Sequence, residues 1–146
     1  MHGSILRSSF FGIALGALIA GVSPASAEMV NFKGDLKASA EVPPNASKGT
    51  GSFTATYDTA SKKVSWKVNY SGLSGPATAA HFHGPAAADK NAGVVVPFKD
   101  VANPSFEGSA EITEAQAADL MAGRWYVNVH TQANPAGEIR GQVMKQ

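Results

Sequence analysis

Short runs of alternating polar and apolar residues, each closed by glycine, proline or a small polar cluster, cover the chain from Asn31 onward. In "GTGSFTATYD" Phe53, Ala55 and Tyr57 alternate with Ser52, Thr54 and Thr56. In "KKVSWKVNYSG" Val64, Trp66, Val68 and Tyr70 alternate with Ser65, Lys67 and Asn69. A period of two places successive side chains on opposite faces of a strand, so each run predicts a strand with one apolar and one polar face. "NFKGDLKASAEVPP", "TAAHFHG", "GVVVPF", "SFEGSAEI", "RWYVNVHT" and "GEIRGQVM" bring the strand-like segments to eight. They recur about every 10–12 residues, which predicts an all-β chain folded as an antiparallel Greek-key β-sandwich or barrel. One stretch departs from the pattern. "TEAQAADLMAG" opens on Thr113 with Gln116 three residues later, a capping box, and closes on Gly123, so one short helix is expected near residues 114–121.

The N-terminus has a different character. Arg7 precedes an apolar run from Phe10 to Val22, and Ala25-Ser26-Ala27 forms an A-x-A cleavage pattern. A run of about 13 residues is too short for a spanning helix, which needs roughly 20. Residues 1–27 are therefore expected to be a cleaved signal peptide, and residues 28–146 a single domain that is periplasmic or secreted, with no membrane span after cleavage. Loss of Arg7 balances basic and acidic side chains, which leaves no basic surplus to neutralise phosphates, so no nucleic-acid partner is expected. Cysteine is absent. No disulfide staples the fold, and any metal must be held by nitrogen and oxygen.

The polar strand faces carry the candidate chemistry. Trp125, Val127 and Val129 fall on one face of "RWYVNVHT", and Tyr126, Asn128 and His130 on the other. Beyond the "QANPA" loop Ile139, Gly141 and Val143 are apolar or small while Glu138, Arg140 and Gln142 are polar. An antiparallel hairpin that keeps like faces together sets Val129 opposite Ile139, Asn128 opposite Arg140 and His130 opposite Glu138. In "AAHFHG" Ala80 and Phe82 face the core, which turns His81 and His83 outward. If this strand neighbours "YVNVH", the three histidines left after removal of His2 converge on one outer patch. Three neutral imidazoles without a thiolate suit zinc or copper, and copper is the tighter of the two on nitrogen. Glu138 would then orient His130 through its other ring nitrogen, and Arg140 would place positive charge near an open position. The competing reading makes these hydrogen-bonded histidines that, with Asn128, Glu138 and Arg140, hold strands and loops together.

"SAEVPPNASKGTGSFTATYD", "KVNYSGLSGPATAAHFHGPA" and "GRWYVNVHTQANPAGEIRGQV" resemble successive blocks of a CHRD domain, the chordin-type module also found alone in exported bacterial proteins. The resemblance runs from about Asp35 to Val143. Asn128, His130, Thr131, Pro135, Gly137, Glu138, Arg140 and Gly141 match its last block, His81, His83 and Gly84 its middle block, and Glu41, Val42, Pro43 and Pro44 its first. It implies an all-β extracytoplasmic domain. A fainter likeness runs to copper/zinc superoxide dismutases, which also carry an H-x-H pair and a later strand histidine outside a Greek-key barrel. This chain lacks their cysteines, a fourth mature histidine and a histidine-rich zinc loop.

The function expected is transition-metal binding, copper first and zinc second, through His81, His83 and His130, in a storage, delivery or redox role. Two alternatives stay open: a metal-free module recognising protein or polysaccharide, and a copper-dependent, superoxide dismutase-like enzyme. A homodimer through an edge strand is a further possibility. No G-x-S-x-G elbow or phosphate-binding loop is present, which sets hydrolase and nucleotide chemistry aside. Trp66 and Trp125 occupy core-facing slots. The "GPAAADKNAG" segment reads as a connecting loop, with a wall over the His81/His83 face as the alternative.

Overall fold

The computed structural model describes residues 26–146, and all but the last two residues of the leader read as a signal peptide, 1–27, lie outside them. Nine strands form one antiparallel sheet: β1 (Met29–Lys37), β2 (Thr50–Asp58), β3 (Lys63–Ser71), β4 (Ala77–His83), β5 (Val94–Pro97), β6 (Ser105–Glu111), β7 (Tyr126–Thr131), β8 (Ile139–Gln142) and the two-residue β9 (Met144–Lys145). Their spatial order is β5-β4-β7-β8-β1-β2-β3-β6, with β9 added to β1. The connections β3 to β4 and β6 to β7 cross between the two halves of the sheet, as Greek-key connections do. The sheet curls into a nearly closed barrel. Phe98, just after β5, lies 5.8 Å from Phe106 of β6, which brings the two end strands together over one interior.

Alternation explains that interior. β1, β2 and β3 bury every second residue, with Phe32, Leu36, Phe53, Val64 and Val68 inside. Each fully buried aliphatic or phenyl side chain contributes about 1.5–3 kcal/mol. Both tryptophans are interior, as their alternation slots predict: Trp66 stacks on Phe98 at 4.7 Å and meets Phe82 edge-on at 5.5 Å, while Trp125 is tilted against Phe82 at 5.3 Å. The helix α1 (Glu114–Met121) begins with the expected capping box. The Gln116 N–H donates to Thr113 Oγ1, the Thr113 N–H donates to Gln116 Oε1, and Leu120 and Ala117 pack inward. No helix among the described residues is long and apolar enough to cross a membrane.

The hairpin of β7 and β8 has the expected register, Val129 opposite Ile139 and Asn128 opposite Arg140. Its outer face differs from the expectation. β7 is buried on both sides, because residues 38–49 and 84–93 fold over it, and the Asn91 side-chain amide donates to the Val42 carbonyl at 2.7 Å to join the two loops. The polar face of β4, β7 and β8 is thus roofed, whereas the outer faces of β1, β2 and β3 meet water. The "GPAAADKNAG" segment forms one of these covering walls.

One buried anion ties the covering to the barrel. Glu138, at 0 % exposure, accepts five hydrogen bonds: from Ser47 Oγ (2.5 Å) and the Ser74 N–H (2.7 Å) at Oε1, and from Ser74 Oγ (2.6 Å), Thr131 Oγ1 (2.5 Å) and Asn134 Nδ2 (3.2 Å) at Oε2. These donors come from the β1–β2 loop, the β3–β4 loop, β7 and the β7–β8 loop. Burial alone would raise its pKa, but the hydrogen bonds from Ser47, Ser74 and Thr131 outweigh it and hold the carboxyl at about 2. Asn45 reinforces the junction by donating to the Glu138 carbonyl at 3.0 Å.

Glu138→Gln keeps the shape and puts an amide donor against groups that also donate. Urea unfolding at pH 7 is expected to show a loss of about 2–4 kcal/mol, the scale of charge-assisted hydrogen bonds lost in a buried site. The carboxyl's folded pKa lies below its usual 4.5, so its contribution is complete above that pH and disappears as the pH falls toward 2; the gap between wild type and variant should close over that interval.

Candidate metal centre

The pairing of β4 with β7 brings the three histidines together. His81 lies opposite Asn128, His83 opposite Tyr126 and Ala79 opposite His130, so on the shared outer face His130 is diagonal to His81 and Asn128 is diagonal to His83. The imidazole centroids are 5.2 Å apart for His81 and His83, 5.0 Å for His81 and His130, and 6.2 Å for His83 and His130. One nitrogen from each ring lies within 4.8 Å of the others. His83 is buried, and His81 and His130 are partly exposed.

Backbone carbonyls fix the tautomers. His83 Nδ1 lies 2.9 Å from the Ala92 carbonyl, and His130 Nδ1 lies 2.9 Å from the Pro135 carbonyl. A carbonyl oxygen only accepts, so both rings carry their proton on Nδ1 and present a lone pair at Nε2. His81 Nδ1, 3.2 Å from His130 Nε2, then donates to that lone pair. His83 Nε2 is buried with no hydrogen-bond partner among the described residues. An orphaned buried acceptor beside two further imidazoles suits a cation. Burial, reinforced by mutual repulsion with His130 and His83, lowers the His81 pKa to about 4, and burial also lowers that of His83. Neutral imidazole is the metal-binding form, and the donor set fits a borderline ion such as copper or zinc.

A stack supports the buried member. The Tyr126 ring lies parallel to His83 at 4.8 Å, with 2° between planes, and Arg140 places its guanidinium carbon 3.5 Å from the Tyr126 centroid. Tyr126 Oη accepts from the Ala92 N–H at 3.1 Å and donates to the Ala92 carbonyl at 3.2 Å, so it and His83 grip the same residue of the covering loop.

Two expected roles are corrected by this geometry. Glu138 does not reach His130. The β7–β8 ladder ends at Val129–Ile139, the Glu138 carboxylate is held by the four-segment junction, and the acceptor on His130 Nδ1 is Pro135. Arg140 does not face an open position. It is 1 % exposed, and its guanidinium donates to Asn91 Oδ1 at 2.9 Å and to the Ala87 and Lys90 carbonyls at 3.3 and 2.6 Å. Asn128 is buried at the centre of the face. The face is half-covered where the alternation had implied an open patch.

Two residues named in the sequence were given no role at the site there. Tyr126 shares the face of Asn128 and His130 by simple alternation, which was the available signal. Glu41, in the β1–β2 loop, is 5 % exposed, and its pKa is raised to about 7 by burial against the opposing influences of Arg140, Asn128 and the Val42 backbone. Gly137, at φ +132°, gives it room. A methyl group there would overlap the Glu41 carboxylate, and its nearest contacts also include Asn128 Nδ2 at 2.7 Å.

The family model described as CHRD domain matches residues 32–143. No curated protein and no solved structure matches the chain.

The histidine pKa values set a pH dependence. The unfolded chain takes up a proton at His81 near pH 6.5 and the folded protein only near 4, so His81 lowers stability progressively as the pH falls between those values and adds nothing further below 4. His81→Gln should therefore flatten the melting temperature's decline over that interval, measured by calorimetry at half-unit steps; an unchanged slope would show that His81 titrates normally.

Proposed function

The chain is a member of the CHRD-domain family, and on that premise we propose that it is an exported domain that binds one transition-metal ion through His81, His83 and His130, copper in the first place and zinc in the second. The observation that carries this reading is the set of three imidazole nitrogens within 4.8 Å, two with their lone pairs directed by carbonyl acceptors on Nδ1. Carbonyl acceptors on the other ring nitrogen are what ligating histidines ordinarily have. Here Ala92 and Pro135 take the part that Glu138 was expected to play. The hydrogen bond between His81 and His130 occupies the place of the ion in the metal-free protein, and His81 needs only to shift its proton to Nε2 to become a ligand. Positions left open by the protein would be filled by water or an incoming group.

The geometry favours holding or passing on an ion over superoxide dismutase-like turnover. Such an enzyme gains from an exposed cation that steers its anionic substrate, and Arg140 is spent on loop carbonyls beneath the covering. A metal-free role as a protein- or polysaccharide-recognising module has no comparable feature in its support among the described residues.

Titration of the purified protein with Cu(II) and Zn(II), followed by calorimetry, is expected to show one ion per chain. His83→Ala should weaken binding by more than the 10–100-fold that accompanies loss of a group that only orients a ligand. Binding that survives this substitution, or that is absent from the wild type, overturns the reading.

A further inference from the structure

Asn128 occupies the middle of the histidine face. It lies opposite His81 across the β4–β7 ladder, diagonal to His83, and two residues before His130 on its own strand. Its side chain is 3 % exposed, and it lies near enough to Glu41 and His83 to influence the pKa of each. The two ends of its side-chain amide are distinct. Nδ2 lies beside the Glu41 carboxylate at Gly137, where a donor is what the carboxylate accepts, and Oδ1 is left without a hydrogen-bond partner among the described residues. His83 Nε2 is in the same condition, because its Nδ1 proton is committed to Ala92. Two buried lone pairs, one on an amide oxygen and one on an imidazole, therefore share one neighbourhood with no donor between them. Buried acceptors in such an arrangement need a proton donor or a cation.

We propose that the side-chain amide oxygen of Asn128 is a fourth protein donor to the ion held by His81, His83 and His130, and that Glu41 is the positioning residue that turns it toward the ion. This rests on the metal reading above and extends it, from three imidazoles to a mixed nitrogen–oxygen set. Glu41 acts through Asn128: its carboxyl group and Asn128 Nδ2 border the same space at Gly137, which leaves Oδ1 for the side of the imidazoles. The β7–β8 turn contributes by omission, since a side chain at Gly137 would collide with both partners.

The test compares Asn128→Ala, Asn128→Asp and His83→Ala with the wild type, reading Zn(II) affinity by competition and the visible ligand-field bands of the Co(II)-loaded protein. Asn128→Ala should bind Zn(II) about 10–100-fold more weakly and shift the Co(II) bands as a ligand is replaced by water. Asn128→Asp, nearly isosteric but anionic, should bind at least about tenfold more tightly, as expected of a carboxylate oxygen in place of an amide one. Wild-type-like Co(II) bands and affinity within about twofold in both variants, with His83→Ala still abolishing binding, would overturn the proposal and leave the three-histidine site standing. Should the alanine variant fail to fold, the aspartate variant alone decides by the same criteria. A wild type that binds neither ion removes the metal reading and this proposal together.

Discussion

A carboxylate taken out of water must be supplied with donors or it will not stay ionised, and the structure is organised around meeting that demand at Glu138. Its five hydrogen bonds arrive from two loops, one strand and one turn. None of these segments is adjacent to all the others in the chain, so their arrival at one side chain fixes how the β1–β2 and β3–β4 loops sit on the β7–β8 hairpin. The cost of desolvating the charge is offset by these bonds together, which makes the junction a strong specification of geometry. Without cysteine to staple the loops, this is the kind of restraint on which the chain can rely.

The hairpin separates structural from chemical duty by direction. Glu138 turns into the junction, while Asn128 and His130 look toward β4. Tyr126 and Arg140 stand between the two regions, and their stack carries the order of the hairpin to His83. Pro135 and Ala92, both in loops, supply only backbone oxygen, yet those two atoms decide which nitrogen of two imidazoles is free. The chemistry of the site is thus set by loop conformation as much as by the histidines themselves.

Most of the scaffold was legible in the sequence because period-two alternation reports directly on strand faces. The register of β7 and β8 followed from requiring apolar sets to coincide, and the meeting of His81, His83 and His130 followed from the neighbourhood of two strands. What alternation cannot report is what lies over a polar face. A strand roofed by a polar loop and a strand facing water read alike, which is why His83, Asn128 and Arg140 were expected on an open surface and are found buried. The partners of His83 and Arg140 are largely main-chain groups of Ala87, Lys90 and Ala92, which carry no identity in a sequence. Glu138 was assigned to His130 by extending the ladder one pair too far, past the point where the turn at Gly137 redirects the chain.

Exposure is graded across the histidine trio: His83 is enclosed under Ala92 and Tyr126, and His81 and His130 border solvent. The cluster consequently has a single threshold. A solute coming from outside encounters the outer pair of rings first and the sheltered one last.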